Sequence, residues 1–458
     1  MEKTRTEKDS LGPVEIPAES LWGPQTERSR HNFMTGPKMP LAVIRAILAI
    51  KKTAAQTNLE LAQLDQVKAQ AIITAVCHLE KMSDSELRTH FPLVVYQTGS
   101  GTQSNMNVNE VIAHLANVKV QPNDDVNCGQ SSNDVFPTAM HLASLQAVNE
   151  LICVLREMIV VLKQKKADYW QVVKIGRTHL QDATPLTFGQ ELSGYQSTLE
   201  HDLTFIDQLK ISLYELAIGG TAVGTGLNAH PLFAKKITEK LSCIYQEPFT
   251  SKSNKFYGLA AHSPLNALHG ALKTLASDLL KIANDIRLLA SGPRSGLGEI
   301  CLPANEPGSS IMPGKVNPTQ TEALTMAAVR VMGNDTTMTI AASQGNFELN
   351  VYKPLLIATF LESVDLLTKS IRSFTEKCLV GMTVDAEHMQ DLVDRSLMTA
   401  TALTPYLGYE ETAKIAQLAQ KNNWSLKKAA LASGKVSSAD FDRWIEPLKM
   451  TNLPESEN

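Results

Sequence analysis

The stretch PLNALHGALKTLASDLLKIANDIRLLA, Pro264–Ala290, places Leu268, Leu272, Leu275, Leu279, Ile282, Ile286 and Leu289 at intervals of 4, 3, 4, 3, 4 and 3. A mean interval of 3.5 keeps these side chains on one side of an α-helix, so the spacing predicts a long helix with a single apolar seam. The same pattern recurs in Met140–Lys166 through Leu145, Val148, Ile152, Leu155, Ile159 and Leu162. It recurs again through Ile357, Phe360, Val364, Leu367, Ile371 and Phe374, and more loosely across Phe188–Leu216. Thr319–Ala342 is a fifth helix, Ala-rich and apolar on several faces, which predicts burial all round. A helix of 27 residues is roughly 40 Å long. Five such helices with 3.5-residue seams are expected to pack near-parallel, at about +20°, in an all-α bundle. Apolar residues on more than one face predict that the chain associates with copies of itself.

The flanks read differently. Shorter helical patterns, Leu41–Leu61 and Gln66–Met82, alternate with polar loops before the bundle. Short helices around Leu392–Leu403 and Glu411–Gln420 follow it, then a polar tail, Pro454–Asn458. The expected division is an N-terminal mixed helical domain (1–129), a central five-helix domain (130–386) and a small C-terminal helical domain (387–458). Strand alternation is nearly absent, and Val172–Ile175 is the best short candidate. No internal repeat is evident.

Composition narrows the function. The 458 residues carry 43 Lys+Arg against 47 Asp+Glu, a net charge of −4, so there is no broad basic field for nucleic acid. With 43% hydrophobic and 20% charged residues the chain is of ordinary globular type. Leu41–Ile50 and Leu151–Leu162 are too short for a membrane span and carry Arg45 and Arg156. The N-terminus, MEKTRTEKDSLGPVEIP, lacks the apolar core of a signal peptide. Six scattered cysteines with no C-x-x-C pair suit reduced thiols in the cytoplasm, and argue against zinc or iron–sulfur ligation.

Four polar stretches lie where long helices begin or end: Thr98–Asn107 (TGSGTQSNMN), Gly129–Thr138 (GQSSNDVFPT), Gly176–Pro185 (GRTHLQDATP) and Gly308–Pro318 (GSSIMPGKVNP). Helix N-termini offer unpaired N–H groups to anions. In the second stretch, Ser131, Ser132, Asn133 and Asp134 precede a helix with Pro137 in its first turn. They read either as caps or as more donors than a cap needs. Ser100, Thr102, Ser104, Asn105 and Asn107 read either as a hydrogen-bonded turn or as a carboxylate nest. His179, in a polar loop, reads either as structural or as a proton shuttle. Lys315 adds positive charge beside Asn317, and Glu322 lies one turn into the next helix. The last stretch is no phosphate loop, because Val316 stands where Ser or Thr is required. Gly224-Thr225-Gly226 follows a helix rather than a strand, which argues against a dinucleotide fingerprint.

GSSIMPGKVNP resembles the signature of the fumarase/aspartase superfamily. GRTHLQDATPLTFGQE has His179 where aspartases show Gln. Together with GQSSNDVFPT and GPRSGLGEI, it resembles class II (iron-independent) fumarate hydratases across essentially the whole chain. The resemblance implies reversible hydration of fumarate to (S)-malate, a tricarboxylic acid cycle reaction, through an aci-carboxylate intermediate with no cofactor or metal. It implies Ser309 as the base, His179 with Glu322 at the departing water, and Lys315 with Asn317 stabilising the intermediate. Ser100, Thr102, Ser131, Ser132, Asn133, Thr178 and Ser310 would hold the substrate carboxylates. It also implies a homotetramer with a twenty-helix core and sites shared between subunits. A second dicarboxylate site of the family is weakened here. Its loop reads Gln121-Pro122-Asn123-Asp124, with Gln in place of His and no evident upstream Arg. The alternatives are an aspartase-type ammonia lyase and a silent structural homologue.

Overall fold

A computed structural model of the protein describes residues 3–453, so the tail read at Pro454–Asn458 lies outside the described residues. The chain opens with an antiparallel hairpin, β1 (Thr4–Asp9) and β2 (Gly12–Pro17), where only helices and loops were expected. The strands do alternate, but the inward positions of β1 are Arg5, Glu7 and Asp9 rather than apolar residues. Arg5 can face inward because its guanidinium donates to the carbonyl oxygens of Pro17, Ala18, Ser20 and Trp22. Helices α1 (Pro24–Asn32), α2 (Leu41–Glu60), α3 (Gln66–Glu80), α4 (Asp84–His90) and α5 (Thr102–Leu115) follow. Asp65 caps α3, and Ser83 with Glu86 forms a reciprocal capping box on α4.

The five long helices are present: α6 (Ser132–Asp168), α7 (Phe188–Lys210), α10 (Ser263–Leu289), α11 (Thr319–Ala342) and α12 (Lys353–Phe374). The shorter α8 (Phe233–Tyr245) and α9 (Lys255–Ala260) lie between α7 and α10. The seam residues of α6, α10 and α12 are buried throughout. Two boundaries differ from expectation. Helix α6 begins at Ser132, so Ser132, Asn133 and Asp134 form its first turn and Pro137 lies inside it. Helix α7 stops at Lys210, and Ile211–Tyr214 tightens into a 3-10 turn.

Helix α11 is not buried all round. Met326 is 68% exposed and Val329 59% exposed, and Glu322, Gly333, Thr336 and Ile340 continue their line. These residues are spaced 4, 3, 4, 3, 4, which makes a second seam open to solvent in the single chain. Apolar content alone cannot distinguish a core face from an interface.

By contact the chain forms two compact units, each of three segments. The first is Met1–Ile152, Thr204–Ala276 and Val329–Thr368; the second is Cys153–Leu203, Ser277–Ala328 and Lys369–Asn458. Within the first, a polar relay ties α10, α11 and α12 together. His269 bonds Asp335 through Nδ1 and Ser363 through Nε2, each at 2.9 Å. In the second, β3 (Val173–Thr178) and β4 (Gln181–Thr187) form an antiparallel hairpin ahead of α7. The C-terminal helices of this unit close over Leu403, Ile415, Ala419, Leu426 and Ala429. Strands among the described residues form only two-stranded pairs, and the architecture is all-α. No helix among the described residues is long and apolar enough to cross a membrane.

Candidate active site

In the first unit the structure joins the first two polar stretches. Gly101, at φ 78°, caps α5 from the left-handed region, and Ser100 Oγ lies 2.7 Å from Thr102 Oγ1. Gly99 admits no side chain: a Cβ there would stand 1.4 Å from the Val351 carbonyl oxygen. The Lys353 N–H donates back to the Gly99 carbonyl at 3.1 Å. Asn105 Nδ2 donates to Ser132 Oγ at 2.9 Å, linking the starts of α5 and α6.

Ser131 Oγ accepts the Asn133 N–H, and Asp134 Oδ1 accepts the Ser131 N–H. Ser132 is not consumed by capping, and Asn133 reaches away to the Ala222 carbonyl at 2.7 Å. Buried Asp134 also accepts the N–H groups of Gly219 and Thr221, each at 2.9 Å. Burial raises its pKa against those donors, and burial lowers the pKa of Lys51 and Lys353. Lys51 is bonded to Asn127 and Gln130, whereas Lys353 Nζ has no partner among the described residues. Neither lysine stands out in the amino-acid sequence: Lys51 follows the apolar run of α2, and Lys353 is the first residue of α12.

In the second unit, His179 is not in a loop but at the tip of the β3–β4 hairpin. Thr178 pairs with Gln181, leaving His179 and Leu180 as a two-residue turn with φ 56° and 61°. Such turns follow strand twist and favour Asn-Gly, so His-Leu gave no signal for one. The left-handed conformation costs a non-glycine residue about 1–2 kcal/mol. In return it presents His179 to solvent, with Thr178 beside it also exposed.

The Gly308–Pro318 stretch folds back on itself. The Gly308 N–H donates to the Lys315 carbonyl at 2.9 Å, and Asn317 Nδ2 donates to the Gly308 carbonyl at 2.7 Å. Asn317 therefore braces the loop with one of its amide hydrogens. Ser309 Oγ accepts two backbone N–H bonds, from Ile311 at 3.2 Å and Met312 at 3.1 Å. Two donors aimed at one hydroxyl oxygen favour its alkoxide over its neutral form. Ser310 and Lys315 are exposed on the same loop, which lines a cavity of about 470 Å³ with Ser309. Glu322 follows, exposed, in the first turn of α11.

Among the described residues, no hydrogen bond connects His179 to Glu322 or to the 308–318 loop. Gln121 and Asn123 lie elsewhere, on a cavity of about 410 Å³ shared with Glu7, Lys8, Asp9 and His114. Of the carboxylates on that wall, Glu7 is paired with Arg5 and Asp9 with Arg28. Burial lowers the pKa of His114, so it brings little positive charge. Asp124 is exposed on the same turn.

The chain has recognisable relatives. Residues 12–333 match the family described as Lyase, and residues 399–452 match the one described as Fumarase C C-terminus. The class II fumarate hydratase of Listeria monocytogenes serotype 4b (strain F2365) is 56% identical, over 98% of this chain and 100% of its own. That of Bacillus cereus is 52% identical, over 97% and 98%. A crystal structure of class II fumarase from Schistosoma mansoni superposes with a TM-score of 0.93 at 42% identity, covering 98% of this chain and 99% of its own. The chain belongs to the lyase family that contains the class II fumarate hydratases.

Proposed function

We propose that the protein catalyses the reversible hydration of fumarate to (S)-malate. The observation that carries this reading is Ser309 Oγ under two backbone N–H groups, in a loop that also bears Lys315. Removing a proton from carbon beside a carboxylate requires a base and a positive environment for the charge that forms. Ser309, as the alkoxide, takes the C3 proton of malate. Lys315 and the remaining amide hydrogen of Asn317 stabilise the aci-carboxylate. On the opposite face His179 protonates the departing hydroxyl, with Glu322 orienting its ring. Ser100, Thr102, Ser131, Ser132, Asn133, Thr178 and Ser310 hold the two carboxylates.

The working form is a homotetramer whose sites are shared between subunits. The exposed Met326, Val329 and Ile340 on one line of α11 and the exposed Ile311 side chain (83%) on the catalytic loop support this. So does the absence of any bond from His179 to Ser309 or Glu322 among the described residues. Six unpaired thiols suit a reducing, cytoplasmic compartment. Binding of dicarboxylate at Gln121, Asn123 and Asp124 is weak or nil, because the cavity has Gln121 in place of His and no arginine, and its Lys8 is outnumbered by Glu7, Asp9 and Glu110.

The test is a purified-enzyme assay. Fumarate should be consumed and formed from malate in the presence of chelator, with no ammonia released from aspartate. Ammonia release would transfer the protein to the aspartase reading, and inertness towards all three would make it a silent homologue.

A further inference from the structure

Beneath the His179 hairpin lies a buried charge network that the mechanism above does not use. Arg177 grips Glu299 with both guanidinium nitrogens, Nη1 to Oε2 at 3.0 Å and Nη2 to Oε1 at 2.8 Å. Lys174 Nζ reaches the same carboxylate at 3.3 Å and Glu191, in the first turn of α7, at 2.6 Å. Glu299 is wholly buried and Lys174 nearly so.

The network's position is specific. On a regular strand, residues three apart face opposite sides. Lys174 and Arg177 nevertheless reach one carboxylate. The pairing shifts register between Ile175 and Arg177, where Ala183 and Thr184 of β4 stand opposite Gly176 alone. Gly176 accommodates the crossing, since a Cβ there would lie 2.5 Å from the Thr184 carbonyl oxygen. An irregularity of this kind re-aims a side chain. Arg177 is two residues from His179, in the strand that leads into the strained turn. On the other side, Glu299 precedes Ile300–Cys301 and the run into the Ser309 loop. Its backbone is held by bonds to Leu289 and Asp385.

Stability is a poor explanation for this network. Buried charge pairs roughly break even against apolar side chains of the same size. A bidentate Arg–carboxylate fork does, however, fix orientation. We propose that Arg177 and Glu299 are positioning residues, a clamp that sets where the hairpin presents the His179 imidazole. This rests on the assignment of His179 to the departing water.

The experiment is a double-mutant cycle on the full-length enzyme. The variants are Arg177→Lys, Arg177→Gln, His179→Asn and Arg177→Gln with His179→Asn, with rates normalised to folded protein. Arg177→Gln should lower kcat by about tenfold or more with KM changed less than about threefold, and Arg177→Lys should fall between it and the parent. In the His179→Asn background the same change should cost less than about twofold, because its effect runs through the ring. An undiminished cost in that background, or an unchanged kcat in the single variant, overturns the clamp. If Arg177→Gln does not fold, Arg177→Lys carries the same comparison. If His179→Asn alone retains full activity, the assignment of His179 fails instead, which is a distinct result.

Discussion

Asn105 Nδ2 donates to Ser132 Oγ across 2.9 Å, and this single bond joins two polar stretches that lie 27 residues apart in the chain. Ser132 is the acceptor in it, and no acceptor among the described residues takes its own hydrogen, which leaves that O–H free for the carboxylate contact proposed above. Asn105 is fully buried, so its amide geometry is set by packing rather than by water.

Removing this link should loosen the proposed carboxylate cradle without touching the proposed proton-transfer groups. Ser132→Ala is expected to raise KM for fumarate and malate by about tenfold, corresponding to the loss of a hydrogen bond of about 1–1.5 kcal/mol, and Asn105→Ala, which also gives up a bond to Asn127, by at least as much. Steady-state kinetics in both directions checks this. A large loss of kcat at constant KM would assign these residues to the chemical step instead.

Ser309 makes a different prediction, because its oxygen is aligned by N–H groups rather than by another side chain. Ser309→Ala should lower kcat by roughly a thousandfold with KM little changed, within the usual range for loss of a positioned acid or base. Thermal unfolding of the variant should match the parent, since the side chain lies on an open loop.

Stability in acid should depend on His141. This ring is fully buried on α6, with Nδ1 3.1 Å from the Leu213 carbonyl oxygen. Burial, helped by the charge of Lys252, pushes its pKa down to about 4 from 6.5. Between those values the unfolded chain binds the extra proton and the folded chain does not. Stability from this group therefore rises with pH through the window and is lost as pH falls from about 6.5 towards 4, by up to about 3 kcal/mol. Denaturant midpoints measured across that range should slope less steeply in His141→Gln. An unchanged slope would mean the ring is not titrating there.

The α11 seam predicts assembly. Val329→Asp places a carboxylate between Met326 and Ile340, on a face of α11 that is open in the single chain. Light scattering after size exclusion should show a smaller species, with hydratase activity lost and helical circular dichroism retained. A variant that stays at the parent's mass with full activity would show that the face is not an interface.

The long helices were legible because their information is local. The seam from Leu268 to Leu289 depends only on the 3.5-residue interval, and α11 was read to its last residue from its apolar composition. The motif GSSIMPGKVNP likewise pointed to Ser309 and Lys315 as candidates without coordinates. Three-dimensional structure decided the rest, wherever a side chain's role depends on a partner distant in the chain. Arg5 faces inward on β1 because carbonyl oxygens of residues 17–22 receive it, which no alternation rule anticipates. His179 occupies a left-handed turn that its own propensities disfavour, in a hairpin underlain by Glu299 more than a hundred residues away. Periodicity sets which face of a segment is apolar, but only folding sets which polar groups meet. Hydrogen bonds and charge pairs act over about 3 Å, and that proximity is created by the packing of the whole chain.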